Sequence, residues 1–242
     1  MGGLFYNLGK KVGPKVRKAK WMWLSATGSK ADTIAVEYEV GRDLAREIRS
    51  QLGQSQELQN TRMLNKTGQR LADCVANKHR RFAFETIKGA EANAFALPGG
   101  FVFVTQSLLD LCQHDRDEVA FILGHEMAHI IRGHAMNRIV SNSAIRIASR
   151  AAPIRGLFSG WLRRVGVQFL ESAYSQDMES EADRLGVRLV SAAGYDPKGG
   201  VQLFSRLTKL NSPKGRIDLG SYFSSHPSFE IRIRHINRLL CK

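Results

Sequence analysis

No stretch of eighteen or more apolar residues occurs in this sequence, so no transmembrane helix is expected. The N-terminus lacks the apolar core and small-residue cleavage site of a signal peptide. Met1-Gly2-Gly3 opens the chain, but Tyr6 stands where an N-myristoylation signal carries Ser or Thr. Cysteine is sparse. Cys74, Cys112 and Cys241 are odd in number, widely spaced and free of any C-x-x-C pattern, so they read as reduced thiols in a reducing compartment. Internal repeats and low-complexity tracts are missing, and no Ser/His/Asp or Cys/His set offers a nucleophile. Acidic residues are outnumbered, 22 against 36 Lys and Arg. The resulting net charge of +14 suits nucleic acid, an anionic membrane surface or acidic partners. No RNA- or DNA-binding motif accompanies the charge, so no specific nucleic acid is expected. The expected location is cytoplasmic, or peripheral on the inner face of a membrane.

The 242 residues, 43% of them hydrophobic, suffice for one well-cored domain or at most two small ones. Residues 1–30 read as a basic arm, with Lys10, Lys11, Lys15, Arg17, Lys18 and Lys20 ahead of Trp21 and Trp23. Such an arm is either a membrane-surface anchor or a solvated tail. Residues 31–242 read as the functional domain. Within it, helices are expected over 33–52, with Gly53 as a stop, and over 57–77. Arg81–Ile87 reads as a strand. Pro98-Gly99 fits the centre of a type II turn, so residues 93–105 should form a hairpin. Together these give a small antiparallel sheet of about three strands.

Downstream, Ser107–Cys112 reads as a short helix. Asp115 reads as the N-cap of the next, with Glu118 as capping-box partner, and that helix should run to about Asn142. Residues 143–170 alternate apolar residues with Arg146, Arg150, Arg155, Arg163 and Arg164. They read as a mobile lid, a membrane-surface insert or a core helix with a solvated face. A helix over 175–193 ends at Gly194, another opens at Asp196-Pro197, and the last starts near Pro227.

The segment carrying the chemistry is Leu123–Ile131, which contains H-E-x-x-H. Positions four apart stack on one helix face, so His125 and His129 can aim two imidazoles at one metal ion. Glu126, one step round, can reach a water activated there. Two nitrogens suit Zn²⁺, and the carboxylate suits a general base. A chance match on a buried helix is the alternative. A catalytic zinc needs a third protein ligand and an open position. In the extended pattern H-E-x-x-H-x-x-G-x-x-H, Arg132 and Ala135 stand where Gly and His belong. On a continuing helix His134 lies about 140° from His129, so it reads as a structural or helix-end histidine. Glu179 and Asp183 are better placed, four apart on one helix face. Glu179 can bind zinc, and Asp183 can accept the other ring N–H of a ligating histidine. Glu181 points elsewhere and reads as solvated. The alternative is simple acidic enrichment of a helix's first turn.

With these pieces in order, the chain resembles metallopeptidase family forty-eight, a gluzincin group, over roughly residues 35–240. Asn93–Gly100 resembles its N-A-F-x-x-P-G-G segment, Gly124–His129 its G-H-E-x-x-H, and Glu179–Asp183 its E-x-E-A-D. Gly194–Pro197 resembles G-[YF]-D-P, and Ser225-His226-Pro227 followed by Arg232 resembles S-H-P-x-x-x-x-R. The resemblance implies an α+β, mainly α, fold with the sheet packed on the H-E-x-x-H helix. It implies one zinc held by His125, His129 and Glu179, with Asp183 behind the ligands. It places His226 near the metal, stabilising the tetrahedral intermediate or closing the open position; read alone, His226-Pro227 is a helix-entry turn. Arg232 would support the cleft near Asp183 or the substrate backbone. The chain departs from the family's membrane-spanning branches and from the branch with a helical-repeat extension.

The expected function is zinc-dependent endopeptidase activity on unfolded or damaged proteins. Glu126 moves the water's proton to the leaving amine, and the peptide lies along Asn93, Ala94, Phe95, Ala96 and Leu97 by strand addition. Quality control is a family-level analogy. The competing reading is a latent or non-catalytic basic protein on anionic membranes, its zinc site structural or autoinhibited.

Overall fold

A computed structural model describes residues 30–55, 57–139, 174–210, 226 and 229–241. The basic arm (but for Lys30) and the whole 143–170 segment lie outside the described residues, so the readings made for them are not met here.

The described elements, in chain order, are α1 (Lys30–Leu52), α2 (Leu58–Asp73), β1 (Ala83–Ile87), β2 (Ala94–Leu97), β3 (Phe101–Thr105), α3 (Gln106–Leu111), α4 (Arg116–Ile131), α5 (Gln176–Ala192), α6 (Gly199–Leu210) and α7 (Phe229–Leu240). The fold is α+β and mainly α. The second helix is shorter than expected and stops at Asp73. β2 and β3 form the expected hairpin. Its turn places Gly99 at φ 76, ψ 1, the positive-φ position of a type II turn.

The sheet corrects one expectation. Its order is β1-β3-β2, with β2 antiparallel to β3 but β1 parallel to it. The sheet is therefore mixed. β3 is buried along its whole length and takes a partner on each side. The tight turn claims one side for β2, so β1 fills the other edge.

Both faces of this sheet are covered, which is why its strands read as nearly continuous apolar runs. Phe95, Leu97, Phe101 and Phe103 pack with Leu44 and Ile48 of α1. Ala94, Ala96, Val102 and Val104 face the main core with α2 and α4. Two alanines on that face of β2 let α4 lie close against the strand.

α4 is the central helix, buried from Glu118 to Ile130, as a helix apolar all round must be. Asp115 caps it, accepting from the backbone N–H groups of Asp117 and Glu118 at 2.9 and 3.0 Å. Glu118 is not its capping-box partner. It is buried and bound to Arg206 of α6 at 2.9 Å, because a buried carboxylate gains more from a cation than from one N–H. Nor does α4 run to Asn142. It ends at Ile131, and Gly133 at φ 75 redirects the chain into a helical run over 134–139.

α5 is capped by Ser175, whose side chain accepts from Met178 N–H at 3.3 Å. It crosses α4 at two glycines. A Cβ on Gly186 would sit 3.2 Å from His125 N, and one on Gly124 would sit 3.2 Å from Gly186 O. Absent side chains here set how near the two helices come. Among the described residues, no helix is long and apolar enough to cross a membrane. Gly186→Ala must push α5 off α4 by a few tenths of an ångström. A loss of about 1–3 kcal/mol is expected for such overpacking, measured by urea denaturation.

Candidate metal centre

α4 and α5 meet where their polar residues lie. His125 and His129 come from α4, Glu179 and Asp183 from α5, Arg232 from α7, and His226 from just before α7. All six are buried, as is Glu126. His125, His129, Glu179 and His226 each offer one ligand atom, and these atoms lie within 4.8 Å of one another.

Between ligand atoms, His125 Nε2 to His129 Nε2 is 3.0 Å, His125 Nε2 to His226 Nδ1 is 3.4 Å, and His129 Nε2 to Glu179 Oε1 is 3.3 Å. His125 Nε2 lies 3.5 Å from Glu179 Oε2, and His226 Nδ1 lies 2.8 Å from Glu179 Oε1. A tetrahedron with metal–ligand bonds of about 2.0–2.1 Å has edges of about 3.3–3.4 Å. The set therefore has the size of a zinc shell, and three imidazoles with a carboxylate is the donor chemistry zinc takes. Burial pushes the His129 imidazolium well below its ordinary range, against the pull of Glu179. His129 is thus neutral, with a lone pair to give. Burial also works against the charge on Glu179, but His226, Arg232 and His125 overcome it and hold the carboxylate well below the usual range.

Asp183 Oδ1 lies 3.0 Å from His125 Nδ1. That contact fixes the proton on Nδ1 and leaves Nε2 for a metal. Arg232 grips the same carboxylate with two bonds, Nε to Oδ2 at 3.0 Å and Nη2 to Oδ1 at 2.6 Å. Its Nη1 reaches Glu179 Oε2 at 3.0 Å. Arg232 Nη2 also lies 3.0 and 3.3 Å from the two ring nitrogens of His125. Of the two roles open to Arg232, its contacts are those of a clamp on Asp183 and Glu179. Burial raises Asp183, and the Arg232 charge and the His125 hydrogen bond outweigh it, leaving a pKa of about 2.

Both carboxylate oxygens of Glu126 are buried and have no hydrogen-bond partner among the described residues; Oε1 stands 3.5 Å from His226 Nε2. Burial raises its pKa, partly offset by His226 and His125.

Ala94–Leu97 form β2 at one edge of the sheet, with Asn93 just before it. All five are buried, main chain included, so this edge is covered rather than open. Asn93 O accepts from Thr105 N–H at 2.9 Å. By alternation, residues 93, 95 and 97 bond inward to β3, while Ala94 and Ala96 turn their N–H and C=O groups outward. Arg138 Nη2 contacts the Ala96 carbonyl at 3.4 Å, a long and weak bond.

Three residues around the centre were not singled out as site residues. The Tyr174 ring stacks on His129, centroids 3.8 Å apart and planes 17° apart, and Arg138 lies 4.4 Å over that tyrosine ring. His134 Nδ1 lies 3.1 Å from His129 Nδ1. Burial pushes the His134 pKa below its usual range, against the pull of Glu181. Gly133 was the available signal for His134: a turn there cancels the angle expected on a continuing helix.

Comparison with known proteins places these features in company. The model of Peptidase family M48 matches residues 58–240. Mitochondrial metalloendopeptidase OMA1 of Schizosaccharomyces pombe is 32% identical over 164 residues, covering 66% of this chain and 47% of that protein. The protein of the same name from Arabidopsis thaliana is 35% identical over 136 residues, covering 56% and 27% respectively. Metalloprotease LoiP of Escherichia coli is 31% identical over 158 residues, covering 63% and 60%. The chain thus spans less than two thirds of each of these relatives. The solved structure of Ste24p from S. mikatae covers 95% of this chain and 63% of its own at 16% identity, with a TM-score of 0.46.

The Asp183 contacts carry a pH signature. Its folded pKa of about 2 lies below the ordinary 3.8. Its stabilisation is therefore full above pH 4 or so and fades as pH falls towards 2, about 2 kcal/mol in all. Asp183→Asn should lower the Tm at neutral pH, and the gap from wild type should narrow as the pH is taken from about 5 to about 3.

Proposed function

The chain belongs to peptidase family M48, and from that premise we propose that it is a zinc-dependent endopeptidase whose metal is held by His125, His129 and Glu179. The observation that carries this reading is the buried set of imidazole and carboxylate ligand atoms within 4.8 Å of one another, with the buried Glu126 carboxylate beside it, 3.5 Å from His226 Nε2. Zinc bound there supplies an acidified water and a Lewis acid for the scissile carbonyl.

The residues of the chain do the rest. Glu126, its pKa raised by burial, accepts the proton of the attacking water and returns it to the leaving amine. Asp183 and Arg232 act at one remove, Asp183 by orienting the His125 ring and Arg232 by holding both carboxylates. Ala94 and Ala96 bind the extended substrate through their outward main-chain groups once what buries them, Arg138 included, moves aside. His226 has its Nδ1 among the ligand atoms, so it would close the position the attacking water needs until substrate binding displaces it. Released, its ring is near enough to share developing oxyanion charge.

Substrates on this reading are unfolded or damaged proteins, which present extended segments. Residues 31–242 form the catalytic domain. The domain is either cytoplasmic or peripheral on the inner face of a membrane, where the basic arm with Trp21 and Trp23 would hold it against anionic lipid. Net charge of +14 supports this placement, and salt-sensitive cosedimentation with anionic vesicles tests it.

Glu126→Gln should cut kcat/KM on casein by about 10²–10⁴-fold with bound metal unchanged; equal activity in the variant would end the reading. Peptides N-methylated at the amides facing Ala94 or Ala96 should lose about tenfold in kcat/KM per bond removed.

A further inference from the structure

The second metal-binding histidine lacks what the first one has. His125 meets a buried carboxylate directly through Nδ1, at 3.0 Å from Asp183. His129 Nδ1 meets another imidazole, His134 Nδ1, at 3.1 Å. Beyond it, His134 Nε2 lies 3.3 Å from Glu181 Oε2, and Glu181 Oε1 lies 3.1 Å from Arg132 Nε. We propose that Glu181 and His134 form a positioning relay that fixes the tautomer and orientation of His129 for the metal.

With His134 neutral, proton bookkeeping allows one arrangement along this line. An ionised Glu181 only accepts, so His134 carries its proton on Nε2 and donates it there. His134 Nδ1 is then a lone pair. It faces His129 Nδ1, which must supply the proton between them. His129 Nε2 is left as a lone pair, aimed at His125 Nε2 and Glu179. The relay thus does for His129, one ring further out, what Asp183 does for His125. The fold builds it deliberately in two places. Gly133, at φ 75, turns the chain so that His134 comes back beside His129. Glu181 sits on α5 between Glu179 and Asp183, and Arg132 anchors its other oxygen. The ring of His134 is buried while Glu181 is 44% exposed, so the outer end of the line touches solvent and the inner end does not.

This inference rests on the metallopeptidase reading, and the test separates the two. Zinc affinity is measured by competition with a chromophoric chelator for wild type, His134→Leu, His134→Asn and Glu181→Ala. Folding is checked by thermal melts. His134→Leu keeps bulk but offers no acceptor, and it should bind zinc about 10–100-fold more weakly. His134→Asn can place an amide oxygen near the Nδ1 position and should recover most of that loss. Glu181→Ala, at the exposed end, should lose less than His134→Leu. The visible spectrum of the cobalt-substituted protein should change in the Leu variant and return in the Asn variant. Wild-type affinity in folded His134→Leu, or equal losses in Leu and Asn, would overturn the relay alone. A wild-type chain that takes up no zinc would overturn the relay and the peptidase reading together.

Discussion

Everything in this structure follows from placing several polar side chains in a dry interior. Glu126, Glu179 and Asp183 are buried within reach of three imidazoles. Ions buried without partners are severely destabilising. Arg232 answers two of these carboxylates with its guanidinium, and the proposed divalent cation among the imidazoles would answer the remainder. Such a cluster is tolerable only if its geometry is held firmly, and α4, which carries both histidines of the motif, is buried from Glu118 to Ile130.

The fold supplies that firmness by close approach. Gly124 and Gly186 let α4 and α5 nearly touch, one residue before His125 and three after Asp183. Ala94 and Ala96 let the sheet edge lie on α4. Phe204 of α6 lies under the Arg232 guanidinium at 4.2 Å, so the clamp is itself packed from behind. The tight regions are those where a small displacement would misplace one of the clustered side chains, and Glu126, the proposed general base, inherits its position from them. Stability and chemistry draw on the same contacts, which is why the interior residues named here serve both.

The sequence was most informative where one local period sufficed. Spacing of four on a helix placed His125 with His129, and Glu179 with Asp183, and capping chemistry located the starts of α4 and α5. Pro98-Gly99 announced its turn. What local pattern leaves open is direction after a break. β1 reads as a strand, but its parallel pairing with β3 depends on which edge the hairpin leaves free. The end of α4 hinged on Gly133, and on a continuing helix His134 faces away. Glu181 read as solvated for the same reason: its partner lies on the far side of that turn. Arg232 had two candidate partners, and only the approach of α7 to α5 selects Asp183 and Glu179. Family resemblance located His226, which residue chemistry alone read as a turn.

The account stands or falls on the identity of the metal shell. X-ray absorption on the purified chain, with its zinc quantified, reads that shell directly. The account predicts about one zinc per chain, with nitrogen and oxygen neighbours at about 2.0–2.1 Å and no sulfur. A chain without zinc, or a shell containing sulfur from Cys74, Cys112 or Cys241, would contradict it.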